Sequence, residues 1–118
     1  MVRMEGLRDR TKAFALRIIR LYGSLPKETV SQAIGRQIVR SGTSVAANFR
    51  EASRARSDAE FIAKLGIVEQ ELDETMLWLE LLVESHIITE NRLADLHAEA
   101  EELLRIVVAS IKNTRPSR

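Results

Sequence analysis

Apolar and small residues return along this chain at alternating intervals of four and three, in separate runs. The first run is Leu7, Thr11, Phe14, Ile18, Leu21 and Leu25. The cleanest is Phe61, Leu65, Val68, Leu72, Thr75, Leu79 and Leu82, and the last is Leu93, Leu96, Ala100, Leu103, Val107 and Ser110. Between the first and the third lies a looser stripe of Ile34, Ile38, Val45, Phe49 and Ala52. Each pattern is one buried face of a helix packed on others. The periods predict helices over about 5–22, 29–55, 58–85 and 89–113. Gly23-Ser24-Leu25-Pro26 ends the first, with a left-handed Gly23 at its C-cap and proline forbidding continuation. Thr29-Val30-Ser31-Gln32 and Ser57-Asp58-Ala59-Glu60 have capping-box form, and Thr89 can cap the last helix. Residues 114–118, with Pro116, read as a frayed end. No alternating segment suggests a strand. The expected fold is all-α: one domain over residues 1–118, an antiparallel up-down-up-down four-helix bundle.

The second helix has three faces. Opposite its apolar stripe stand Arg36, Arg40, Arg50 and Arg54, which projects guanidinium groups along about 27 Å of helix and makes them candidate phosphate contacts. Between the two sides runs a polar border of Gln37, Ser41, Ser44, Asn48 and Glu51. Buried amides and carboxylates need partners, so Gln37, Ser44, Asn48 and Glu51 are expected to form a structural network with Glu71 and Glu74, or Lys64, of the third helix. Gly35 and Gly42 each cost about 1 kcal/mol in a helix relative to alanine, which fits a close backbone approach or a mild kink. The third helix is apolar on more than one side. Ile67, Trp78 and Leu81 lie off its seam and are expected to anchor a subunit interface, because large exposed apolar patches are rare on monomers. The competing placement packs Trp78 on a neighbouring helix of its own bundle. On the first helix, Leu16 and Ile19 also lie off the seam.

Composition narrows the function. A chain 45% hydrophobic and 30% charged has enough apolar residue to fold and too much charge to be a membrane span. The longest apolar run, Met76 to Val83, is broken by Glu80 and is too short to cross a bilayer. With no cysteine and no apolar core behind Met1–Gly6, a cytoplasmic location without disulfides or thiolate metal sites is expected. Residues 1–57 hold 12 Lys/Arg against 4 Asp/Glu, and residues 58–118 hold 6 against 13, balances of +8 and −7. Such asymmetry points to a polyanion-binding half or to a basic half that neutralises an acidic one within the bundle. Few aromatic residues argue against a base-stacking platform. His86 and His97 have no glutamate three residues before them, no Gly-rich phosphate loop is present, and no Ser or Thr has an evident base. A non-enzymatic protein without cofactor or metal is expected.

The run Gly35-Arg36-Gln37-Ile38-Val39-Arg40-Ser41-Gly42-Thr43-Ser44-Val45-Ala46-Ala47-Asn48-Phe49-Arg50-Glu51-Ala52 carries a resemblance, continued by Ser57, Phe61, Glu71, Glu74-Thr75 and Trp78-Leu79-Glu80-Leu81-Leu82. These residues resemble the bacterial four-helix-bundle family first noticed in intervening sequences of large-subunit ribosomal RNA genes, sometimes labelled a ribosomal protein. The resemblance implies a bundle protomer in a ring-shaped homo-oligomer, a pentamer. It also implies similarity to the accessory variability protein of retroelements, which partners reverse transcriptase and nucleic acid. One departure is Glu51-Ala52, where many members have Glu-Gly. Alanine continues a helix better, so the second helix is expected to run further here. The expected function is sequence-nonspecific RNA or DNA binding by a homo-oligomer. The alternative is an assembly scaffold for a protein partner, its basic and acidic halves serving subunit association.

Overall fold

The computed structural model describes residues 4–114, with side chains from Gly6. Four helices follow one another: α1 (Met4–Ser24), α2 (Thr29–Ala52), α3 (Asp58–Glu84) and α4 (Glu90–Thr114). No strand occurs among the described residues, and no helix there is long and apolar enough to cross a membrane. Each helix packs chiefly on its neighbours in sequence, while α1 meets α4 over a much smaller area.

The periodic seams form the core. Leu7, Thr11, Phe14, Ile18 and Leu21 of α1, Leu25 just beyond its end and all six seam residues of α4 are buried, as are Leu65, Val68, Leu72, Thr75, Leu79 and Leu82 of α3. Only Phe61 and Ile34 are partly exposed, packed against the rim of that core. Burying one such aliphatic or aromatic side chain contributes about 1.5–3 kcal/mol, so the stripes, not helix propensity, hold the four segments together.

The boundaries depart from the sequence reading in instructive ways. Helix α1 runs through Gly23 to Ser24, and no glycine adopts a positive φ. Its stop comes from Pro26 and from a tightened last turn, in which Ser24 Oγ donates to the Leu21 carbonyl at 2.9 Å. No capping box forms at Thr29, which is already helical behind an N-cap at Glu28 that makes no side-chain cap bond. Gln32 is drawn elsewhere: its Nε2 donates to the Pro26 carbonyl at 2.9 Å and its Oε1 accepts from the Tyr22 hydroxyl at 3.1 Å. Helix α2 stops at Ala52 rather than running on to residue 55, so alanine at that position did not extend it. The Arg54 and Ala55 amides bond three residues back, to Glu51 and Ala52, and Ser53 Oγ donates to the Arg50 carbonyl at 2.7 Å. These tightened bonds close the helix just before the α3 cap begins.

That cap does form. Ser57 Oγ accepts from the Glu60 amide at 3.1 Å, and Glu60 Oε1 accepts from the Arg56 amide at 2.9 Å, one residue earlier than the usual reciprocal partner. At the far end of α3, the amides of His86 and Ile87 bond to the carbonyls of Val83 and Leu82, both at 3.0 Å. This is a Schellman turn whose left-handed residue, φ 64°, is His86 instead of glycine. Helix α4 includes Thr114, and residues 115–118, read above as a frayed end, lie outside the described residues.

Close approach explains the two α2 glycines. Gly35 lies beneath the Tyr22 ring and Gly42 beneath Ile18, so α1 crosses α2 where α2 has no side chain. Both glycines are buried.

Candidate functional site

The polar border of α2 faces α3 because its residues sit just off the buried stripe. At its innermost point the buried hydroxyls of Ser41 and Thr75 bond to each other at 2.8 Å. One turn further, Ser44 Oγ donates to Glu71 Oε2 at 3.3 Å, and Asn48 Nδ2 donates to Ser44 Oγ at 2.8 Å and to the Ser44 carbonyl at 3.0 Å. Glu51 accepts from Lys64 Nζ at 2.6 Å, which raises the Lys64 pKa. Gln37 Oε1 accepts a long bond of 3.4 Å from Arg40 Nε. The six residues expected to form a network are therefore brought to one α2–α3 border, with Lys64 and Arg40 as cationic members.

Arg40 is the member that sequence projection missed. Instead of standing with the other arginines, its guanidinium crosses to α3, donating to Glu74 Oε2 and lying 3.6 Å from Glu71 Oε1. The second distance is too long for a hydrogen bond, so Glu71 Oε1 has charge compensation but no hydrogen-bond partner. Trp78 Nε1 also donates to Glu74 Oε2, at 3.1 Å. Burial pushes the Glu74 carboxyl up, but the bonds from Arg40 and Trp78 outweigh it and hold the pKa below its ordinary value. A carboxyl with a lowered folded pKa binds fewer protons folded than unfolded. It therefore adds stability above its ordinary value of 4.5, and that stability is lost as pH falls through the lowered value. Glu74→Gln should be less stable than the parent at pH 7, and the gap should narrow as pH falls below the ordinary value of 4.5. Urea midpoints of the two proteins at pH 7 and pH 3 measure this, and a gap that stays constant would contradict it.

The other arginines of the basic side stay outward. Arg36, Arg50 and Arg54 are exposed, and among the described residues none of them pairs with a carboxylate. Arg54 stands in the turn beyond α2 and not on the helix, so the stripe is not one continuous helical ladder. Of the cations in residues 1–57, only Arg10 and Arg40 form salt bridges among the described residues, Arg10 through a two-pronged bond to Glu99 at 2.8 and 3.1 Å. That bond, whose guanidinium pKa is raised chiefly by the Glu99 hydrogen bond, ties α1 to α4. Glu99 is thus a cross-helix partner on α4. Among the described residues, little of the basic half is neutralised by salt bridges.

The expected interface residues lie along the outer side of α3. Ile67 and Leu81 are 36% and 37% exposed, while Trp78 is half-buried, packed against its own core and bonded to Glu74. Leu77, nearly opposite the core side of α3 and four residues from Leu81, is 48% exposed. On α1, Leu16 and Ile19 are 43% and 47% exposed. Among the described residues no three His, Asp or Glu side chains converge as a metal site requires. His97 Nε2 instead lies 2.8 Å from Glu80 Oε2.

Residues 7–109 match the family model of the 23S rRNA-intervening sequence protein. A crystal structure of a protein of unknown function from the S23 ribosomal protein family of Bacteroides thetaiotaomicron VPI-5482 is similar to this chain, with a TM-score of 0.86 and 38% identity. The similarity covers 92% of this chain and 97% of that one. No curated protein matches the sequence.

Proposed function

The chain belongs to the 23S rRNA-intervening sequence protein family, and on that premise we propose that it is a non-enzymatic, cytoplasmic homo-oligomer that binds RNA or DNA by charge and shape. The observation that carries this reading is the exposed, unpaired set Arg36, Arg50 and Arg54 on a half of the chain that the acidic half leaves largely uncompensated. Arg40 serves as the α2–α3 tie and the other three as phosphate contacts. Guanidinium groups on phosphate oxygens position a backbone without reading bases, so binding is sequence-nonspecific. The protomer is an antiparallel up-down-up-down bundle. Its cross-helix pairs Ser41–Thr75, Ser44–Glu71 and Glu51–Lys64 support this, since α2 numbers rise as α3 numbers fall.

Three phosphate contacts give a log–log salt slope of about −2 on single strands and about −3 on duplex DNA. Anisotropy titrations of a labelled RNA oligonucleotide and a DNA duplex across salt concentrations should return those slopes, with no preference among sequences. The Arg36→Ala/Arg50→Ala/Arg54→Ala protein should lose most of the binding while keeping the parent's mass by light scattering. Undiminished binding would remove these three residues from the site.

The exposed apolar strips favour a second reading, an assembly scaffold for a protein partner. Leu16 and Ile19 are flanked by Lys12 and Arg20, whereas Leu77 and Leu81 are flanked by Asp73, Glu80 and Glu84. The α1 strip of one copy thus complements the α3 strip of the next. Such a heterologous contact closes into a ring, here a pentamer, when the rotation permits. A Lys12→Glu/Arg20→Glu variant that falls to monomer, from a parent that shows no polyanion binding in those titrations, favours this reading over the first.

A further inference from the structure

Between the C-terminal half of α3 and the N-terminal half of α4, short side chains leave a gap lined by no residue of α2. Ala94 and Ala98, one turn apart on α4, are exposed and face Val83 of α3. The space they leave is a cleft of about 490 Å³, with Leu79 and Leu93 beneath it. That volume falls within the range of pockets that hold a small ligand or a few side chains. Its rim is anionic: Glu80 and Glu84 stand on the α3 wall, and Glu90 and Glu101 on the α4 wall. His97 answers Glu80 across the cleft, and among the described residues Glu84, Glu90 and Glu101 have no ion-pair partner.

We propose that this cleft receives a short cationic segment of a partner protein. An apolar side chain seats on Val83, Ala94 and Ala98, and Lys or Arg on either side of it meets Glu84, Glu90 and Glu101. Charge complementarity selects the occupant. Phosphate-bearing ligands are repelled by the rim, a neutral apolar ligand leaves the carboxylates unanswered, and a simple polyamine leaves the floor unused. The proposal does not depend on polyanion binding at the arginines, which lie on α2 and the turn after it and do not line the cleft.

The test uses the full chain and a fluorescein-labelled, amidated twelve-residue peptide with one Leu between Lys residues in an Ala/Ser background. Controls are the same peptide with Leu replaced by Ser and with Lys replaced by Glu. Saturable binding of the first peptide is expected, weakened about tenfold by either control change. Ala98→Leu, which fills the floor from an exposed helical position, should weaken it similarly while leaving the melting temperature unchanged. Glu84→Gln/Glu90→Gln/Glu101→Gln should do the same, and Arg36→Ala/Arg50→Ala/Arg54→Ala should not. Absence of saturable binding overturns the proposal, as does equal binding of the Ser peptide. It also fails if spermine displaces the peptide at matched charge, or if Ala98→Leu alters the mass seen by light scattering, which would assign the cleft to a second copy.

Discussion

Gly42→Val should lower stability by about 3 kcal/mol, roughly 10 °C in Tm for a domain of this size. A Cβ built at Gly42 would lie 2.8 and 2.9 Å from the two Cγ atoms of Ile18 and 3.2 Å from its Cβ. Ile18 is fully buried and β-branched, so it has one comfortable rotamer and nowhere to retreat. The two backbones must separate, and loosening one helix crossing disturbs every layer of the core beside it. Valine also gains little of the helix propensity that would offset the clash. Alanine gains about 1 kcal/mol of it, so Gly42→Ala should fall between the parent and valine. Gly35 is a useful contrast. Its added Cβ would lie 2.6 Å from Cε1 of Tyr22, but that ring is partly exposed and can swing outward at the expense of its bond to Gln32. Urea denaturation of Gly42→Val, Gly42→Ala and Gly35→Ala should therefore rank Gly42→Val lowest, and a parent-like midpoint for it would show that the crossing is not tight.

Phe49→Ala should have the largest effect of any single truncation on α2, about 3–5 kcal/mol. The ring is 1% exposed and is among the largest fully buried side chains of the core. Removing it forfeits the transfer energy of the ring and leaves a cavity that rigid helices cannot collapse around. Total stabilities are about 5–15 kcal/mol, so the variant should be partly unfolded under conditions where the parent is intact. Leu77→Ala, at a site 48% exposed, sets the scale from the other side and should change the unfolding free energy by no more than about 0.5 kcal/mol in a dissociated protomer. Equal effects of the two substitutions would mean that the buried stripe is not what holds α2 in place.

The fold was legible in the sequence because period and burial are the same fact seen twice. Residues spaced by four and three lie on one side of a helix, and all six of the α4 seam, Leu93 through Ser110, are buried. Helix ends were less legible, because a cap competes with distant partners. Thr29-Val30-Ser31-Gln32 has the letters of a capping box, yet Gln32 bonds to Tyr22 and Pro26, a choice that only the α1–α2 packing reveals. The polar border was found because its residues fall between the apolar and basic sides. Arg40 was grouped with the wrong set for a geometric reason. A guanidinium is long enough to leave the direction of its own Cα and reach Glu74 on the next helix, so projection alone cannot assign it. Trp78 posed a related difficulty. Its ring can lean on its own core and still present an edge, while its indole N–H follows Glu74. The acidic cleft escaped because its floor consists of alanines, whose small size is a signal only when the opposing wall is known.

The succession of neighbour-on-neighbour packing, with α1 only lightly closed on α4, also bears on how the protein comes to exist. Every large interface joins segments separated by a link of a few residues, so each can begin to form as soon as its second helix leaves the ribosome. Chain-closure entropy is small for such short connections, and topologies rich in local contacts reach the native state quickly. The last seam to zip would be the one between the two ends, held by Arg10 and Glu99.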